Sequence, residues 1–318
     1  MLAYNLLLFH KNNTTMKRIL YIILLVTITT NTLHACEICG CGGSNTYLGL
    51  LPDFKTKFIG IRYSHSYYQT LMAMDKTQFS NNYYNTTEIW GGVNIGKKWK
   101  LLAFIPYKFN KQAGDDDTTY NNGLGDITVL ANYKLWNKVS INGNKGISQQ
   151  LWLGGGIKVP TGKFDFNPSD STTTVAALNY QLGTGSIDFL FNVMYNVKFG
   201  NWGVNTTLNY KANTAKNGYK FGDKITANSI GYYRFATKNQ TYIAPNIGLM
   251  YENTAENTKL PTTISSTGGY YATASAGVEF TIKKIGVGFS ASLPFSQRYA
   301  DGQTNLQWRG TTHLTFAL

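Results

Sequence analysis

"IDFLFNVMYNVKF", from Ile187 to Phe199, alternates without a break. Successive side chains of a β-strand point to opposite faces. One face here carries Ile187, Phe189, Phe191, Val193, Tyr195, Val197 and Phe199, and the other carries Asp188, Leu190, Asn192, Met194, Asn196 and Lys198. The first face is apolar from end to end, and the second is mixed and largely polar. Two later stretches repeat the pattern. "YATASAGVEFTIK" sets Ala272, Ala274, Ala276, Val278, Phe280 and Ile282 against Thr273, Ser275, Glu279 and Thr281. "IGVGFSASLPF" sets Ile285, Val287, Phe289, Ala291, Leu293 and Phe295 against glycines and serines. The apolar face of such strands is either the core of a soluble sandwich or the lipid-facing wall of a transmembrane barrel.

Connection lengths separate the two readings. Strands are expected near 55–70, 84–97, 99–111, 123–136, 148–162, 184–199, 201–213, 223–236, 240–253, 268–283, 285–298 and 306–318. Connections from even to odd strands are tight, as in "GKKW", "GN", "ATKNQ" and "KKIG", except for a longer stretch after Trp136. Odd-to-even connections are long and polar, such as "NKQAGDDDTTYNNG" and the stretch from Gly162 to Gly183. Short turns at one end and long loops at the other are the outer-membrane pattern, and an even strand number puts both termini on the periplasmic side. The fold class expected is therefore all-β, a transmembrane antiparallel up-and-down barrel of about twelve strands over 55–318. The last strand, "LQWRGTTHLTFAL", shares Leu306, Trp308, Leu314, Phe316 and Leu318 on one face and resembles the strand the barrel insertion machinery reads.

Composition agrees. Charged residues make up 14% of the chain, against about 25% in average soluble proteins. Aromatic residues also reach 14%, with 22 Tyr and 17 Phe. Many gather near expected strand ends: Tyr67, Tyr68, Tyr83, Tyr84, Trp99, Trp136, Tyr195, Phe199, Trp202, Tyr232, Tyr233 and Tyr251. Interfacial girdles account for this, because an amphipathic ring is favoured at headgroup depth. Outer-membrane lipid and lipopolysaccharide are the partners such a surface implies.

The front of the chain has the layout of a secretory signal. Lys17 and Arg18 precede the apolar run Ile19 to Val26, and Ala35 stands at the expected cleavage point. Residues 1–35 are read as this signal, with Met16 the start that fits it best. Residues 36–54 follow as a short periplasmic or plug segment. It holds all three cysteines, Cys36, Cys39 and Cys41, within "CEICGC". Three readings stay open. "LHAC" approximates a lipobox that would lipidate Cys36. Three thiols within reach of one ion would suit Cu(I) or Zn(II). Cys36 with Cys39 or Cys41 would close a disulfide clip. An odd cysteine number in an oxidising compartment points to one free or ligating thiol.

Three motifs occur in order: "GLGDITVLANYKLW" from Gly123, "LGGGIKVPTGKF" from Leu153 and "LGTGSIDFLF" from Leu182. Together they resemble the outer-membrane family named after the meta pathway of phenol degradation, relatives of the FadL-type transporters of hydrophobic compounds. The resemblance runs from about Gly123 to the C-terminus and implies outer-membrane transport or channel activity. The chain departs from the larger FadL-type proteins in its fewer strands and its short segment before the first one.

Alternation also names the residues expected to line the lumen: Arg62, Glu88, Lys108, Lys134, Lys158, Asp188, Lys198, Lys211, Arg234, Glu252, Glu279, Arg309 and His313. These either fill a narrow barrel as ion pairs or line a path for small anionic or aromatic solutes. The net charge of +13 does not indicate nucleic acid as a partner. The lysines are dispersed and several fall in expected turns, namely Lys97, Lys98, Lys238, Lys283 and Lys284, with no basic recognition element. "GDDDTT" at Gly114 to Thr119 reads as a solvated loop before it reads as a divalent-cation site. An enzyme is not expected. The mature chain has two histidines, His65 and His313, and the glycine clusters at 154–156 and 183–185 lack the helix a phosphate loop needs.

Overall fold

The computed structural model describes residues 57–71, 79–114, 118–142, 145–166, 180–237 and 241–318. The expected signal (1–35) and cysteine segment (36–54) lie outside them. Twelve strands form the wall: β1 (Phe58–Leu71), β2 (Phe79–Ile95), β3 (Trp99–Ala113), β4 in two pieces (Thr118–Leu124 and Ile127–Asn142), β5 (Lys145–Val159), β6 (Asp188–Phe199), β7 (Trp202–Ala212), β8 (Lys224–Tyr233), β9 (Thr241–Thr254), β10 (Gly269–Ile282), β11 (Ile285–Tyr299) and β12 (Thr304–Ala317). Each pairs antiparallel with its neighbours in chain order. β12 returns to β1, from Phe58 opposite Ala317 to Thr70 opposite Thr304, so the sheet closes into a barrel with no free edge.

The alternation sorts as the sequence implies. Ile59, Ile61, Ile89, Val93, Phe189, Phe191, Val204, Leu208, Ile247, Leu249, Phe289 and Leu293 are all exposed on the outside. Their neighbours along each strand are buried or half-buried inside the barrel. An apolar belt of this kind is stable only where lipid covers it. Among the described residues no helix is long and apolar enough to cross a membrane, so crossing falls to the strands.

Strand ends differ from the sequence expectation in instructive ways. β2 begins at Phe79 and β4 at Thr118, each five residues earlier than expected. In these extensions, "FSNNY" and "TTYNN", Phe79, Tyr83 and Tyr120 share the outward face with Asn and Thr, so the alternation is weak. The long connection expected after Trp136 does not exist. β4 continues to Asn142, which pairs with Lys145 of β5. A bulge between Lys134 and Trp136 reverses the face parity there and hides the strand from a period-two reading. Between β2 and β3 the chain turns at Gly96, whose φ of 63° lies in the left-handed region that glycine adopts without steric cost.

Inward glycines let side chains meet across an intervening strand. Asn132 of β4 and Asn192 of β6 flank Gly154 of β5. The Asn192 Nδ2 donates to Asn132 Oδ1 at 2.8 Å. A Cβ on Gly154 would land on both carboxamides, whereas one on outward-facing Gly155 would make only an ordinary contact with the Leu190 carbonyl at 3.8 Å. Gly154→Ala is therefore expected to destabilise the barrel by about 1–3 kcal/mol through overpacking. Gly155→Ala should unfold like the parent chain. Thermal unfolding in detergent, followed by the mobility of unheated samples on gels, checks both.

Candidate functional site: the barrel lumen

The interior surface is of two unlike kinds. β1 to β6 contribute Phe58, Trp90, Leu102, Phe104, Leu130, Trp152, Leu190 and Met194 to one buried apolar cluster. The Phe58 and Trp90 rings meet edge to face at 4.8 Å between centroids. On β10 to β12, and on parts of β1 and β2, the wall also carries small polar residues. One register row runs Gly277, Ser290, Thr311, Ser64, Thr86 over β10, β11, β12, β1 and β2. All five face inward and are partly exposed.

Charged rows border that polar row. On one side lie Glu279, Gly288, His313, Arg62 and Glu88 in unbroken register. Arg62 is ion-paired with Glu88, and its guanidinium carbon lies 5.3 Å from the Trp90 ring centroid. His313 Nε2 approaches Glu279 Oε2 at 3.1 Å by reaching across Gly288, which has no side chain to block it. On the other side Arg309 donates to Ser66 Oγ at 3.0 Å, to the Tyr68 hydroxyl at 3.1 Å and to the Tyr271 hydroxyl at 2.8 Å. Lys224 Nζ sits 2.6 Å from Glu252 Oε1, and Lys224 faces buried Lys211 across the β7–β8 ladder.

A third cluster holds the segment between β5 and β6 against the break in β4. Lys158 Nζ lies 2.7 Å from Asp126 Oδ2 and 2.5 Å from Asp188 Oδ2, and also bonds Thr184. Asp126 accepts the backbone N–H of Gly162 at 3.0 Å and of Thr184 at 2.9 Å. Thr161 donates to the Gly125 carbonyl at 2.7 Å, and Lys108 donates to the Leu182 carbonyl at 2.7 Å. The Gly-Leu-Gly-Asp, Pro-Thr-Gly and Leu-Gly-Thr-Gly-Ser motifs thus converge on one buried carboxylate. Further along, the Tyr180 hydroxyl donates to the Thr119 carbonyl at 2.9 Å. Burial pushes that phenol up to about 12, so it stays a donor at neutral pH. Beyond the strands, Phe164, Phe166, Tyr219, Phe221 and Ile264 pack together. A four-stranded sheet of two-residue pieces, formed from the β7–β8 and β9–β10 loops, lies among these same segments.

Of the lumen residues expected from sequence, Arg62, Glu88, Lys108, Lys158, Asp188, Lys211, Glu252, Glu279, Arg309 and His313 are buried. Lys134 and Lys198 are half-buried on inward-facing positions, with Lys134 Nζ 4.6 Å from the Trp152 ring centroid. Arg234 falls just past the end of β8, 4.8 Å from the Tyr242 ring centroid. Sequence reasoning missed Lys100, Asp126 and Lys224. Lys100 shares the parity of Lys108 on β3 and was legible from it. Tyr68, Tyr84 and Tyr232 depart from the girdle assignment: they face inward, Tyr68 and Tyr84 at the Arg309 cluster and Tyr232 against Gly203. His65 faces outward, 2.6 Å from Asn85 Oδ1 and 4.5 Å from the Trp308 ring, and among the described residues no serine hydroxyl bonds it. Cys36, Cys39 and Cys41 lie outside the described residues, as do the Cu(I) or Zn(II) site, lipid anchor and clip read there.

The Phenol_MetA_deg family model, described as the MetA-pathway of phenol degradation, matches residues 69–296. The chain belongs to this family. The match takes in all three motifs and the Asp126–Lys158–Asp188 cluster that this family member builds from them. Among solved structures the chain is similar to the COG4313 outer membrane channel from Pseudomonas putida F1, at 14% identity and a TM-score of 0.53, covering 91% of this chain and 98% of that one. It also matches the β-domain of the Bordetella autotransporter BrkA, at 12% identity and a TM-score of 0.43, covering 83% of this chain and 100% of that one. The identities are low, and the first of these likenesses supports the barrel fold alone. No curated protein matches the sequence.

Removing Lys158 would leave two buried carboxylates facing each other. Lys158→Met is expected to cost about 3–5 kcal/mol, the usual penalty for breaking a buried pair from one side. Adding Asp188→Asn should recover part of that loss. Urea unfolding of the barrel in lipid, read by tryptophan fluorescence, measures both variants.

Proposed function

We propose that this family member is an outer-membrane channel for small polar solutes. The observation that carries the reading is the inward-facing, partly exposed row of Gly277, Ser290, Thr311, Ser64 and Thr86. A solute passing through the lumen at that level meets hydroxyls and small side chains, with charged residues above and below. The aromatic residues of the interior pack into buried clusters, one around Trp90 and Trp152 and one of Tyr68, Tyr271 and Tyr299, so they support the barrel more than they offer a path to the hydrophobic compounds that the family resemblance implies. The similar Pseudomonas putida protein is named an outer membrane channel, which agrees with this reading. The export signal expected at 1–35 and the lipid-facing belt support placement in the outer membrane of a Gram-negative bacterium. Inside the barrel, cations outnumber carboxylates once half-buried Lys134, Lys198 and Lys224 join the buried residues. A basic lining enriches anions in a narrow pore.

Planar-bilayer recording of the purified barrel tests this. Wild type is expected to conduct, with a reversal potential in a salt gradient that favours anions. Ser290→Phe should reduce conductance by about half or more, as a bulky group in a narrow pore does. Leu293→Phe, on the lipid face three residues on, should conduct as wild type. A silent wild type, or a Ser290→Phe variant that conducts normally, would remove the proposed path.

A further inference from the structure

The outer surface of the barrel carries a second ordered row. Trp308, Tyr67, Tyr83, Lys111 and Tyr120 face one another in register across β12, β1, β2, β3 and β4. All five point away from the lumen, near the long-loop end of their strands. Tyr67 and Tyr83 are stacked, with centroids 4.9 Å apart and planes 11° from parallel. Lys111 Nζ lies 5.9 Å from the Tyr83 ring centroid and 5.9 Å from that of Tyr120. Among the described residues no carboxylate pairs with Lys111. One step nearer the membrane centre, His65 Nδ1 is 2.6 Å from Asn85 Oδ1, which also accepts from the Tyr63 hydroxyl at 2.8 Å. Below these polar groups the same outward face turns to Ile59, Ile61, Ile89 and Ile105, all exposed.

This is more than a general aromatic girdle. On the neighbouring strands β9 to β11 the outward register row through Leu249, Ala274 and Leu293 is aliphatic instead, and Leu293 is 63% exposed. A cation held between two aromatic faces, above hydrogen-bonding side chains and at the upper edge of the apolar belt, matches a ligand with three parts. It has a phosphate for the ammonium, sugar rings for the tyrosine faces and acyl chains for the isoleucines.

We infer that this face of β12 and β1 to β4 is a binding site for a phosphorylated glycolipid of the outer leaflet, with Lys111 taking the phosphate. The site depends on outer-membrane placement and not on conduction through the lumen, so it stands or falls apart from the channel reading.

The test is native mass spectrometry of the full chain, purified from membranes and delipidated. It is titrated with hexa-acylated bisphosphorylated lipid A, with the same glycolipid after enzymatic dephosphorylation, and with inorganic phosphate. Folding of each variant is first verified by the heat-dependent mobility of the barrel. Wild type should bind the phosphorylated glycolipid, and Lys111→Met should weaken it about tenfold, the scale of one charge-assisted hydrogen bond. Lys111→Arg should retain it, as should Lys163→Met on a loop. Dephosphorylation should weaken binding by the wild-type chain as Lys111→Met does. Inorganic phosphate should neither bind nor compete, which separates a headgroup site from a simple anion site. Equal binding by wild type and Lys111→Met, or by the two glycolipids, would overturn the assignment, as would full competition by inorganic phosphate.

Discussion

Every backbone N–H and C=O that enters a bilayer must be hydrogen-bonded inside the protein, and here the pairing of β1 with β12 completes that requirement. Until the last strand returns to the first, two edges of the sheet would face hydrocarbon. Closure at twelve strands then fixes the size of the interior. Such a barrel lies between the eight-strand case, which side chains fill, and the sixteen-strand porins, which hold a water channel. What the inward side chains do follows from that intermediate width.

This chain divides the space. Large apolar side chains on β1 to β6 pack into one cluster, Tyr68, Tyr271, Tyr299 and Leu306 form a second, and a row of small polar residues on β10 to β2 stays partly exposed. Charges placed inside so narrow a barrel cannot be solvated freely, so they are met by partners: Arg62 by Glu88, His313 by Glu279, Lys224 by Glu252, and Lys158 by Asp126 and Asp188. One of these pairs, His313 with Glu279, skips a strand. Inward glycines make such meetings possible, because a residue with no side chain removes the obstacle between the strands on either side. Gly154 and Gly288 do this for Asn132 with Asn192 and for His313 with Glu279.

The same Lys158 cluster links wall and loops. Asp126 stands where β4 breaks, and it accepts from backbone groups of a segment that begins after β5 and ends before β6. Loop position is thereby tied to a buried ion pair in the wall. Aromatic packing of Phe166, Tyr219 and Phe221 then joins that segment to the loops that follow β7 and β9. Among the described residues, the long-loop end thus carries a packed layer of its own.

Alternation in the sequence alone determined that the chain is a barrel of about twelve strands, which faces of those strands meet lipid, and which charged residues turn inward. A period of two maps directly onto two faces, and a one-residue slip would expose every inward charge to hydrocarbon, so the pattern carries this information locally. Where the outward face mixes aromatic and polar residues, at Phe79 to Tyr83 and Thr118 to Asn122, or where a bulge shifts parity near Leu135, the signal weakened and the strand ends were misplaced. Only the tertiary structure decided the pairs. Lys158 finds Asp126 thirty-two residues away, and Arg309 finds Tyr68 across the closure, 241 residues apart. Such pairs depend on register around the whole barrel and on which neighbours are glycine, and no local pattern encodes either. The gathering of large side chains into buried clusters beside a partly exposed polar row was likewise settled by closure, because residues of strands far apart in sequence meet only when the wall closes.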